Sequence, residues 1–130
     1  YEEKHEAADV AQKYGVSVIS LIAPTSEDRI KMIASEAEGF IYIVSSMGVT
    51  GVRSEIKTDI GHIMEAVKKY AKVPAAVGFG ISKPEQAKKM AYLSDGVIVG
   101  SAIVKLVAQY GSDAPDHIYE YVKSMKDAIR

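Results

Sequence analysis

Cysteine and tryptophan are both absent from these 130 residues, and phenylalanine occurs only twice. Without cysteine there is no disulfide and no thiolate chemistry, a composition that fits a reducing cytoplasm. No apolar run reaches the ~20 residues that a bilayer-spanning helix needs, and no secretory signal pattern is present. Charge of one sign is not in excess: 16 Lys and Arg against 17 Asp and Glu leave a net charge of -1. That balance makes no broad basic face for nucleic acid. His5, His62 and His117 are scattered, with no metal-ligand spacing. The chain begins at Tyr1, directly in a helical pattern, and so reads as an excerpt of a longer polypeptide.

What is present is an alternation of two periodicities. Residues 2–14 have helical spacing, with Gly15 placed as the residue just past a helix end. Val16 to Ile22 reads as a strand. Thr25 and Asp28 form an approximate capping box for a helix to about Glu36, with Ile30, Ile33 and Ala34 as its buried stripe. Phe40 to Val44 is a second strand. Thr58 or Asp59 caps a helix to about Ala71, whose Ile60, Ile63, Met64, Val67 and Tyr70 recur every three or four residues. Pro74 to Val77 is a third strand, and Ser82 with Glu85 a capping box for the helix after it. Gly96 to Val99 is a fourth strand, followed by helices over Ala102–Gln109 and from Pro115 to about Ile129. No linker divides residues 1–130, so they read as one domain. Alternating strands and helices imply a parallel sheet with right-handed crossovers. Four such strands make half of a (β/α)8 barrel, a fold that takes about 250 residues; an open doubly wound sheet is the competing architecture.

Three strand-like runs are followed at once by glycine: Ser45-Ser46-Met47-Gly48-Val49-Thr50-Gly51, Gly78-Phe79-Gly80-Ile81-Ser82 and Gly100-Ser101. Glycine lets backbone N–H groups approach and face an anion, and a helix N-terminus adds the positive end of its dipole. Loops after consecutive parallel strands converge on one barrel face, and the late ones commonly hold phosphate. A single such glycine is more often just a tight turn; three at successive strand ends favour a phosphate cradle. The paired lysines Lys68-Lys69 and Lys88-Lys89 read as solvated helix faces, and so does Lys105.

Taken in order, Phe40 to Gly51, Gly78-Phe79-Gly80-Ile81-Ser82-Lys83-Pro84-Glu85-Gln86 and Gly100-Ser101-Ala102-Ile103-Val104-Lys105 resemble the tryptophan synthase alpha chain family. The likeness covers essentially all 130 residues. It implies the C-terminal half of a (β/α)8 TIM barrel, strands five to eight with their helices. It implies a lyase of tryptophan biosynthesis that cleaves indole-3-glycerol phosphate to indole and glyceraldehyde 3-phosphate. By resemblance, Gly51, Gly80, Ile81, Gly100 and Ser101 bind the substrate phosphate, and Phe79 lines the indole pocket. Tyr42 helps to position a catalytic carboxylate, and Thr50 sits on the loop that closes over substrate. Both are supporting residues, because the family's catalytic glutamate and aspartate belong to the N-terminal half. The family's alpha reaction uses no metal or organic cofactor, and pyridoxal phosphate belongs to the beta chain, the implied partner in an alpha2beta2 complex. The missing N-terminal half, or a second copy of this chain, would be the other partner. Two departures stand out: Ser46 replaces an arginine that some members carry, and Met90 to Asp95 is slightly short, altering a surface turn. The alternatives are another phosphate-binding barrel of a histidine or thiamine pathway, or a non-catalytic half-barrel module for phosphate binding or assembly.

Overall fold

A computed structural model describes residues 2–45, 53–78 and 80–130, with the backbone alone at residues 2 and 53–59. A 3-10 turn over Glu2–Lys4 leads into α1 (His5–Lys13), followed by β1 (Ser20–Ile22), α2 (Glu27–Glu36) and β2 (Ile41–Val44). Next come α3 (Arg53–Tyr70), β3 (Ala75–Gly78), α4 (Pro84–Leu93) and β4 (Gly96–Val97). The chain ends in α5 (Ser101–Tyr110), a 3-10 turn over Gly111–Asp113, and α6 (Ala114–Ala128). The four strands are parallel and lie side by side in chain order, β1-β2-β3-β4.

Local chemistry explains most boundaries. Helix α1 ends in a Schellman motif: Gly15 takes φ 67, Gly15 N–H donates to Gln12 O at 3.1 Å, and Val16 N–H to Ala11 O at 2.9 Å. The cap of α2 is Ser26, whose hydroxyl accepts from Arg29 N–H at 3.4 Å, rather than the expected Thr25. The cap of α4 is also displaced by one residue. Gln86, not Glu85, reaches back, its Oε1 accepting from Lys83 N–H at 3.1 Å and from Ser82 N–H at 3.0 Å. Helix α3 starts at Arg53, so Thr58 and Asp59 lie inside it rather than at its start, and His62 lies well past its first turn. β1 and β4 are shorter than the apolar runs suggest, although Ile98 N–H still donates to Val77 O at 2.8 Å beyond the end of β4. Just before β4 the chain clamps onto β3. Asp95 accepts from Ala75 N–H through Oδ2 at 2.9 Å, while its own N–H donates to Ala75 O at 3.0 Å.

Strand residues alternate between faces. Ile22, Ile41, Ile43, Ala75 and Val77 are fully buried beneath the helices. There they meet Ile30, Ile33 and Ala34 of α2, Ile60, Ile63, Met64 and Val67 of α3, and Ala87 and Met90 of α4. Leu21, Tyr42, Ala76 and Gly96 align in register across the other face. Leu21 is 61% exposed there, and the other three are half-buried. Parallel sheets ordinarily bury both faces. The second face, which carries no helix among the described residues, is the one that would line the lumen of a closed barrel.

Candidate functional site

Because all four strands point the same way, the turns that follow β2, β3 and β4 leave the sheet at a single edge. Gly80 adopts φ 79, a conformation that L side chains rarely take, which accounts for glycine in the turn after β3. Ile81 beside it is buried, while Gly80 itself faces solvent. The next two N–H groups, of Ser82 and Lys83, are engaged by Gln86. Among the described residues, the N–H groups of Gly80 and Ile81 are not used by any hydrogen bond in the fold.

After β4, Gly100 caps α5 with its carbonyl, which accepts from Ile103 N–H at 2.9 Å and Val104 N–H at 3.2 Å. Its φ is -120, and nothing described lies within 4 Å of where a Cβ would stand. Neither neighbouring side chains nor a left-handed backbone accounts for glycine at this position. Ser101 is the first residue of α5 and is exposed. The opening N–H groups of a helix have no carbonyl a turn earlier to receive them, and they carry the positive end of its dipole.

Tyr42 lies on the lumen face of β2, and its ring leans diagonally across β3 onto Gly78. A Cβ at Gly78 would overlap the Tyr42 hydroxyl and come within 2.8 Å of Cε1. Gly78 is thus the seat of Tyr42, a role the sequence did not reveal because Gly78 read as one more turn glycine. Its signal would have been the pairing: two strand residues on the same face, two positions apart diagonally, one bulky and one without a side chain. Beside them Ser45 is 1% exposed, its N–H and Oγ both donating to Gly78 O at 3.1 and 3.0 Å. These bonds carry the sheet one residue past β2 and fix the point from which the next loop departs. Thr50, Gly51 and Phe79 lie outside the described residues.

The histidines stand on helices: His5 on α1, His62 on α3 and His117 on α6. His5 is exposed, and His117 stacks on Tyr110 with ring centroids 3.5 Å apart. Among the described residues there is no group of three or more side chains able to hold a metal ion, and no helix is long and apolar enough to cross a membrane.

A parallel sheet in chain order, helices on one side, an open lumen face and glycine turns at one edge define half of a TIM barrel. Residues 1–130 match the family model described as the tryptophan synthase alpha chain, and the chain belongs to that family. The tryptophan synthase alpha chain of Lacticaseibacillus casei is 49% identical over 129 residues, which cover 99% of this chain and 48% of the relative. That of Thermoanaerobacter sp. (strain X514) is 46% identical over 130 residues, covering 98% and 50%. Among solved structures, tryptophan synthase subunit alpha from Campylobacter jejuni superposes with a TM-score of 0.79 at 31% identity, covering 98% of this chain and 48% of that one. A Pyrococcus furiosus structure of the tryptophan synthase a2b2 complex gives 0.77 at 33% identity, covering 95% and 51%. The chain spans about half the length of the relatives it matches and corresponds to their C-terminal half.

Proposed function

We propose that this chain is the phosphate-gripping half of an indole-3-glycerol phosphate lyase, the alpha component of tryptophan synthase. The observation that carries the reading is the pair of turns at one sheet edge. One carries the N–H groups of Gly80 and Ile81, which no hydrogen bond among the described residues uses; the other carries the N-terminus of α5 at Gly100 and Ser101. Backbone donors and a helix dipole suit a phosphate, which needs several hydrogen bonds and a positive field. Gly51, Thr50 and Phe79 enter this proposal through the resemblance alone.

The chemistry assigned to the whole enzyme is a retro-aldol cleavage. A base takes the proton from the glycerol hydroxyl next to the ring, an acid protonates indole C3, and the carbon–carbon bond between them breaks to leave indole and glyceraldehyde 3-phosphate. The resemblance places both carboxylates in the other half of the barrel. This half holds the phosphate, so that the scissile bond lies at a fixed distance from those groups. Tyr42, seated over Gly78 at the same edge, helps to position a catalytic carboxylate, as the resemblance implies. The beta chain, carrying pyridoxal phosphate, is the proposed receiver of indole.

Two substitutions at one position test the reading in the complete barrel that carries this half. Asn and Asp both tolerate left-handed backbone better than other side chains, so Gly80→Asn and Gly80→Asp strain the turn alike. They differ in charge. Phosphate titrations should show Gly80→Asp binding at least about ten-fold more weakly than Gly80→Asn, since a carboxylate would face the anion. Equal affinity in the two variants would remove Gly80 from the cradle. Phosphate binding without indole release would instead favour a binding module.

A further inference from the structure

The turn after β3 is held from two directions. From its own helix, Gln86 Oε1 accepts from Ser82 N–H, from Lys83 N–H and from Ser82 Oγ–H at 3.3 Å. From the far end of the chain, Tyr121 on α6 donates its phenolic O–H to Ser82 O at 2.6 Å. Every polar group of Ser82 is therefore engaged, and the Gly80–Ile81 pair hangs from a fixed point. Tyr121 also packs its ring against the core, and burial raises its pKa above the ordinary 10.0, so it remains a donor around neutral pH.

We propose that Tyr121 is a positioning residue for phosphate binding, acting through the Ser82 carbonyl to hold the Gly80–Ile81 turn in place relative to the N-terminus of α5. The proposal rests on the phosphate reading above. Its logic is one of spacing. α6 packs against both α4 and α5, so it lies behind both turns that would grip the anion. A phosphate bound by two separate backbone segments is sensitive to small changes in the distance between them. The Tyr121 hydroxyl makes a polar link from α6 to one of those segments across 39 residues of sequence. Ser82 is exposed, so water can replace the lost donor on its carbonyl. Removing the hydroxyl therefore loosens the placement of the turn and leaves the fold standing.

The test compares wild type, Tyr121→Phe and Tyr119→Phe in the complete barrel. Phe keeps the ring of residue 121 and deletes only its hydroxyl, and Tyr119, 63% exposed on the same helix, is the control. Inorganic phosphate is titrated calorimetrically, and KM and kcat are measured with indole-3-glycerol phosphate. Tyr121→Phe should raise both the phosphate Kd and KM by about 3- to 10-fold, with kcat and melting temperature near wild type. Tyr119→Phe should match wild type throughout. Wild-type phosphate affinity in Tyr121→Phe overturns the tether while leaving the phosphate reading intact. A fall in kcat together with a lowered melting temperature, at unchanged Kd, overturns it in favour of a general packing role. A wild-type barrel that takes up no phosphate overturns the phosphate reading and the tether with it.

Discussion

Replacing Gly78 by alanine tests whether Tyr42 is seated as described. The added Cβ would overlap the Tyr42 hydroxyl and approach its Cζ and Cε1 to 2.5 and 2.8 Å. Carbon atoms in contact stand about 3.5–4.0 Å apart, so ring or strand must give way by an ångström or more. The strand is the stiffer of the two. Val44 pairs with Gly78, and the Gly78 carbonyl accepts from both Ser45 N–H and Ser45 Oγ. Tyr42 is half-buried on the lumen face, so its ring is the part that yields. Overpacking of this kind costs about 1–3 kcal/mol. The low end is expected here, because the ring moves rather than the backbone. Urea denaturation of Gly78→Ala, Tyr42→Ala and the double variant forms a cycle. Once Tyr42 is gone, the alanine at 78 should cost almost nothing, giving a coupling of about 1 kcal/mol or more. Gly78→Ala should also lose turnover while keeping phosphate affinity, since the donors at Gly80 and Ile81 do not involve Tyr42. Costs that add within about 0.5 kcal/mol would refute the seat.

Three further outcomes follow from the geometry. Asp95→Ala removes the carboxylate that accepts from Ala75 N–H at 2.9 Å, and should lower unfolding free energy by about 1.5–3 kcal/mol in urea. Asp95→Asn, which keeps an acceptor, should lose less. Gly15→Ala and Gly39→Ala both force alanine to φ 67, at a cost of about 1–2 kcal/mol each, but only Gly39 also meets Ile19 Cδ1 at 2.9 Å. Thermal melts should rank Gly39→Ala as the more destabilised. Gln86→Ala strips the acceptor from Ser82 and Lys83 and should cost about 1 kcal/mol, with faster amide exchange at those two residues.

The alternation of strands and helices was legible because each element carries a clean period. The α2 stripe of Ile30, Ile33 and Ala34 and the α3 stripe from Ile60 to Val67 are buried as their spacing requires. Element ends were less legible, because several residues able to cap stand next to one another. Thr25 and Ser26 both carry a hydroxyl able to cap, and Glu85 and Gln86 are both long enough to reach back; only backbone direction decides between them. Thr58 and Asp59 looked like a helix start, yet α3 already runs from Arg53, so capping chemistry alone does not mark a terminus. Gly80, Ile81, Gly100 and Ser101 stood out as glycine turns after strands. Their convergence depends on all four strands being parallel, which the alternation implied. Gly78 and Tyr121 were not legible, since the contacts that define them join residues 36 and 39 positions apart.

The strand order has a consequence for how the chain folds. Within the described sheet, β2, β3 and β4 each bond to the strand made just before them. As residues emerge from the ribosome, β2 finds β1 already exposed, β3 finds β2, and β4 finds β3. Each addition closes a crossover about one helix long, and so needs no large loop closure. Register errors are then confined to the newest strand. The step made by α6 is different in kind: only when α6 arrives does Tyr121 reach back to Ser82, so the turn after β3 is completed by a residue made 39 positions later.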